Sequence, residues 1–234
     1  MIIKLGGGVV DARGSMAGNT FSRNRFGNYI RSRVKGVDPK SARQSAARIR
    51  MMTLAEQWRE SPMDADKRGA WETYAQSVSW LNALGEACNL TGYNHYMRSN
   101  AAIAAAGGDR VDDGPTSLGL PGGDATIVPT ALSQGATISI AFDDALDWAA
   151  ELGGFLLVEV GVPQNPTRNF FGGPWRIAGS IAGAVAPAES PLTVPTPWTL
   201  TEGQKIWTRY KIIRADGRVS TPFLVAPVLV GPAA

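Results

Sequence analysis

The chain holds one cysteine, Cys88, and one histidine, His95, seven positions apart. A thiol within reach of an imidazole can form a nucleophile–base pair. Spacing alone leaves that open, and the expected arrangement is a buried thiol beside an ordinary surface imidazole. One cysteine excludes an intramolecular disulfide and a multi-cysteine zinc site, and one histidine cannot build a histidine cluster. Asp109, Asp112, Asp113 and Asp124 offer hard oxygen ligands, but their spacing departs from the twelve-residue calcium loop. Asp143, Asp144 and Asp147 would need one displaced pKa to act as acid and base; beside a strand end they read as turn residues. Gly6-Gly7-Gly8 lacks the Lys-Ser/Thr of a phosphate loop, and no helix start follows at once. Asn89-Leu90-Thr91 matches a glycosylation acceptor, which matters only on a secretory route, and the glycine-broken N-terminus does not read as a secretory signal. No enzyme, cofactor or metal is expected.

The informative chemistry is charge. The net charge of +3 hides an asymmetry: residues 1–50 carry eleven Lys and Arg against Asp11 and Asp38, a local +9, which leaves −6 for the rest. A basic end on an otherwise acidic chain points to an acidic partner, whether nucleic acid, membrane surface or protein face. The residues expected to meet it are Arg23, Arg25, Arg31 and Arg33, with Phe21, Phe26 and Tyr29 interleaved. No run approaches the roughly 18 apolar residues of a membrane helix, so no membrane partner is expected.

These residues lie in the first of three stretches. With 234 residues, 44% apolar and 18% charged, the chain has room for one large domain or two modest ones. Residues 1–37 read as an extended basic arm rich in β-formers. Their alternation resets near Gly27-Asn28, which predicts a hairpin. Neither strand has a wholly apolar face, and a lone two-stranded ribbon is marginal in water, so it must lean on a neighbour. Residues 38–108 read as a three-helix domain. Asp38-Pro39 opens the first helix, with Ala47, Met51, Leu54, Ala55 and Trp58 as its inner stripe. Asp64 or Asp66 caps a second carrying Trp71, Tyr74, Ala75, Val78 and Leu81. Thr91-Gly92 opens a third that closes at Gly107-Gly108. Trp58, Trp71, Trp80, Tyr74, Tyr93 and Tyr96 give this bundle an aromatic core.

Residues 109–125 read as a linker. Residues 126–234 then turn to β, with strands expected at 136–142, 155–162, 175–181, 205–214 and 222–230, and shorter ones between Leu192 and Leu200. The expected class is therefore α+β: a β-arm, a small helical bundle and a C-terminal two-sheet sandwich of about seven strands. A long alternating strand runs into Asp216-Gly217 and then Ser220-Thr221-Pro222, which resembles the last two strands of immunoglobulin/fibronectin-III-like domains. Trp175 and Trp198 could stack on sugars, although both read first as core or edge aromatics.

Three stretches stand together in order: the run Gly18-Asn19-Thr20-Phe21-Ser22-Arg23-Asn24-Arg25-Phe26-Gly27-Asn28-Tyr29-Ile30-Arg31, then Asp38-Pro39-Lys40-Ser41-Ala42-Arg43-Gln44, then Trp58 and Trp71 with Leu90-Thr91-Gly92-Tyr93-Asn94-His95-Tyr96. On these, residues 14–103 resemble a family of tailed-bacteriophage and prophage virion structural proteins. That family has a Gly-rich basic arm, an Asn-Pro helix start, two Trp helices and a Leu-x-Gly-aromatic third helix; here Asp38 stands in place of the Asn. The resemblance implies a virion component assembled in the bacterial host cytoplasm, and it transfers no functional residues. A capsid decoration (cement, or minor capsid) protein is the leading expectation, its arm and helices on the shell and its sandwich outward. Its partners would be the major capsid protein or neighbouring subunits, with many copies or a homo-oligomer in the particle. A head–tail connector or tail component is the alternative. A DNA-binding module, with arginines on phosphate and aromatics on bases, is the third; the acidic remainder argues against nucleic acid.

Overall fold

In a computed structural model that describes residues 1–24, 26–133 and 135–232, the chain combines three α-helices with several antiparallel sheets. The arm forms β1 (Ile2–Ile3), β2 (Gly14–Met16), β3 (Asn19–Asn24) and β4 (Gly27–Ser32). Strands β3 and β4 make the expected hairpin, closed by Asn24 opposite Gly27. The ribbon is not isolated, however: β1 and β2 flank it in a sheet ordered β1-β4-β3-β2. Gly27 takes φ +115, which explains why the alternation resets there.

Ser41, not Asp38, caps α1 (Ala42–Gln57): Ser41 and Gln44 form a reciprocal capping box. Asp38 instead holds the Arg48 guanidinium through both carboxylate oxygens, at 3.0 and 3.2 Å. Helix α2 (Ala65–Ser77) is capped by Asp64, which accepts from the Lys67 amide at 2.8 Å. It stops before Val78 and Leu81. The side chain of Asn89 donates to the carbonyls of Ala75, Gln76 and Val78, so the chain leaves the helix into β5 (Ser79–Leu81), which pairs with β6 (Ala87–Asn89). Leu81 is exposed on that hairpin rather than buried on a helix. Helix α3 (Gly92–Ala106) runs between a Thr91 cap and Gly107 at φ +87, as its sequence signals predict.

The helices enclose Trp71, Tyr74 and Tyr96, with Leu54, Met63, Val78 and Met97 around them. Trp71 meets Tyr96 edge-on at 5.7 Å. Tyr93 lies outside this core and touches only its rim, edge-on to Trp58 at 5.6 Å. Glycine is required at position 92, because a Cβ there would lie 2.6 Å from the Glu72 backbone nitrogen. The bare backbone lets α3 close on α2, and the Gly92 amide donates to the Glu72 carboxylate at 2.7 Å.

The C-terminal part contains β7 (Val128–Ala131), β8 (Thr137–Ala141), β9 (Phe155–Gly161), β10 (Trp175–Ala182), β11 (Leu192–Pro195), β12 (Lys205–Ile206), β13 (Thr208–Ile213), β14 (Phe223–Leu224) and β15 (Val228–Leu229). One sheet is ordered β10-β9-β13-β14 and another β11-β8-β7. A single core joins them: Leu156, Val158, Val160, Tyr210 and Ile212 from the first meet Ile138, Ile140 and Val194 from the second. The expected 205–214 strand is broken at Trp207 into β12 and β13, and β12 pairs with β15. The hairpin around Asp216-Gly217 brings β13 back along β14.

Strand β9 is buried on both faces. Its Leu157, with Ile213 of β13 and Val219, packs on Ile103 and Ala106 of α3. The helical and β parts therefore share α3 as a common layer. Arg98 of α3 donates to the carbonyls of Val219 and Ser220 at 2.7 and 2.6 Å and lies 5.0 Å over the Trp80 ring. Burial pulls this guanidinium below its ordinary pKa. Residues 109–125, expected as a linker, are tied to the helices. The Trp71 indole donates to the Asp112 carbonyl at 2.9 Å, and the Asn100 side chain exchanges two hydrogen bonds with the Val111 backbone. No helix among the described residues is long and apolar enough to cross a membrane.

Candidate interaction surface

Alternation along β3 and β4 decides what the arm presents. Residues directly opposite in an antiparallel pair share a face. One face therefore carries Ile2, Ser15, Thr20, Ser22, Tyr29 and Arg31; the other carries Ile3, Met16, Phe21, Arg23, Asn28 and Ile30. The expected partner residues are thus split: Tyr29 with Arg31 on one side, Phe21 with Arg23 on the other. Phe26 sits in the turn, its amide held by the Asn24 side chain at 2.9 Å. Arg33 donates its backbone amide to Gly18 at 2.7 Å and leaves its side chain in solvent. Arg25 lies outside the described residues.

No described residue of 1–37 is buried. A four-stranded sheet normally buries at least one face on a core; here the most covered residues, such as Phe21, Tyr29 and Ile30, are only half-buried. Its attachment to the rest is narrow. Ile2 and Phe26 line an apolar cavity of about 230 Å³ with Trp80, Leu81, Cys88 and Leu90, and Lys4 pairs with Glu86 on the β5–β6 turn. Hydrogen bonding from Lys4 holds the Glu86 carboxyl below its usual pKa. Arg13 pairs with Asp11 and Arg48 with Asp38. Arg23, Arg31, Arg33, Lys35, Lys40, Arg43 and Arg50 have no acidic partner among the described residues.

Helix α1 enlarges this surface: of the expected inner stripe Leu54, Ala55 and Trp58 pack on the helical core, and Ala47 and Met51 do not. Only Leu54 on it is buried; Ala47 and Met51 are exposed, and so are Ile49 (58%) and Met52 (57%). The sequence carried a sign of this: Arg43, Arg48 and Arg50 bracket the apolar positions and leave too narrow a stripe for full burial. Val34 and Val37, also exposed, bridge the sheet to the helix. Outside the contact with the β5–β6 hairpin, residues 1–53 thus present exposed apolar and cationic side chains together.

Most of the other candidates are engaged within the chain; Asp109 and Asp144 are exposed and have no ion-pair partner among the described residues. Cys88 and His95 exchange their expected places: the thiol is partly exposed, while His95 is fully buried (0% exposed). The reason is aromatic enclosure. His95 lies edge-on to Tyr74 at 5.1 Å, and its Nε2 accepts from the Trp80 indole at 3.3 Å. Burial first, and the Arg98 cation second, push its pKa down to about 4, with Glu72 opposing. Burial also raises the Tyr74 hydroxyl to about 12. Asp112 pairs with Arg110 and Asp113 with Lys67, and Asp124 accepts from Thr126 and the Trp148 indole. Asp143 caps its own turn through the Ala145 amide, and Asp147 pairs with Arg214. Among the described residues no group of three His, Cys, Asp or Glu could hold a metal ion. Trp175 and Trp198 are half-buried, with Arg209 and Arg176 guanidinium groups over their rings at 4.8 and 5.0 Å.

Comparison with protein-family models, curated proteins and solved structures finds no match for this chain.

Proposed function

We propose that this chain is a structural component of a tailed-bacteriophage virion, a capsid decoration (cement) protein. It holds the shell through residues 1–53 and turns its β part outward. The observation that carries this reading is the N-terminal sheet without a single buried described residue. An ordered sheet with no buried described residue, followed by a stretch to Arg50 that brings the unpaired cations to seven, is shaped for a partner that supplies the missing core and countercharge. A shell under outward pressure from packed DNA is stabilised by subunits that reach across to their neighbours, and this arm is built to reach. The C-terminal part then acts as a sandwich of immunoglobulin/fibronectin-III type: two sheets on one core, ending in the Asp216-Gly217 hairpin and Ser220-Thr221-Pro222.

The test is incorporation. Particles purified from a host expressing the full chain should contain it at a fixed, high stoichiometry by quantitative mass spectrometry. A chain lacking residues 1–37 should be missing from them. Equal incorporation of both forms would remove the arm from the attachment and refute the reading.

A further inference from the structure

The basic surface has a surface of complementary charge on the same chain, at the far end of α3. Loops 143–154 and 183–190 are locked together: the Phe142 amide donates to Ser190 Oγ at 2.9 Å, and the Gly183 and Ala184 amides donate to the Gly154 and Ala149 carbonyls at 2.8 and 2.9 Å. The end they form presents Asp143, Asp144 and Glu189, which have no cationic partner among the described residues. The same two loops carry two large apolar side chains in solvent, Leu152 at 74% and Val185 at 84% exposure. Acidic and apolar side chains face outward on these loops, and basic and apolar side chains on residues 1–53.

Helix α3 separates the two. The β5–β6 hairpin that carries the arm precedes its N-terminus. At its C-terminus Gly108 packs against Phe155, the residue directly after Gly154 of the acidic end. Fifteen helical residues span about 22 Å, more than twice the Debye length of roughly 8 Å at physiological salt. No ion pair joins the two surfaces among the described residues of one copy.

We propose that the Arg31 and Arg33 part of the basic surface takes the acidic end of a neighbouring copy, bound head to tail, beside the contact that residues 1–53 make with the shell. This rests on the reading of residues 1–53 as a docking element and names one of its contacts. Because the two patches differ, each copy keeps one free patch after binding, so association continues into a ring or filament instead of closing at a dimer.

Sedimentation velocity on the full-length protein tests this with two charge reversals at exposed positions, R31E/R33E and D143K/D144K. The wild type should form species heavier than a dimer at low ionic strength. It should return to the 24.8 kDa monomer at about 1 M NaCl, where the Debye length is about 3 Å. Each variant alone should stay monomeric, with unchanged circular dichroism to show that it folds, and their equimolar mixture should associate again, since each supplies the patch the other has lost. A wild type that is monomeric at all salt concentrations overturns the proposal, as does one that closes at a dimer, one that assembles only with added nucleic acid, or assemblies that survive both reversals. A monomer still incorporated into particles through residues 1–37 overturns head-to-tail association and leaves the virion reading standing. Self-association without incorporation does the reverse.

Discussion

Acid should weaken this protein through one imidazole. His95 is sealed by Tyr74 and Trp80, and its folded pKa is about 4 against 6.5 when free. The folded state therefore binds fewer protons than the unfolded state between those values. Its contribution is fully present above pH 6.5 and is lost as pH falls toward 4. At about 1.4 kcal/mol per tenfold change in proton affinity, the whole window is worth about 3 kcal/mol. Close to 2 kcal/mol of that, about two-thirds, is gone by pH 5. Urea unfolding at pH 7.5 and pH 5 measures it, with His95→Gln as the control, since glutamine keeps an acceptor for the Trp80 indole and cannot titrate there. The wild type should lose about 2 kcal/mol more than the variant between the two pH values. Parallel losses in both proteins, or an imidazole NMR titration near 6.5 in the folded wild type, would refute the reasoning.

Three further outcomes follow from the same structure. Gly92→Ala places a methyl 2.6 Å from the Glu72 backbone and should cost about 1–3 kcal/mol, in the range of overpacking, read as a fall in Tm with the far-ultraviolet spectrum retained. Arg98→Met removes two charge-assisted bonds to the Val219 and Ser220 carbonyls and should cost about 2–4 kcal/mol, measured by urea unfolding; Arg98→Lys should recover only part, lacking the fork that spans both carbonyls. Removing residues 1–37, none of which is buried where described, uncovers Trp80 and Leu90 where Ile2 and Phe26 meet them; the expected loss of about 1 kcal/mol lowers Tm by about 2–4 °C.

Much of the fold can be read from local signals. Thr91 and Gly107 bound α3 as written, because cap chemistry is local. The Asp216-Gly217 turn and the alternation of β13 predict their hairpin for the same reason. The errors arise where distant groups decide. Asp38 is spatially close to Arg48 and loses the cap to Ser41, which has Gln44 at the reciprocal spacing. Helix α2 ends early because Asn89, well beyond it in sequence, takes its last carbonyls. For the interaction surface, the arm cations were visible as composition. Met51 and Ala47 were not, since an apolar position on a helix looks the same whether or not anything packs on it. His95 shows the converse: nothing local announces burial, which comes from Trp80 and Tyr74.

Cys88 gives the protein a chemical reporter. It is the sole sulfhydryl, and it lies on the wall where Ile2 and Phe26 meet Trp80 and Leu90. Alkylation kinetics at this one position therefore register how tightly the N-terminal sheet sits on its hairpin, without a label or an engineered residue. A fluorophore attached there would sense the arm being lifted away as assembly proceeds.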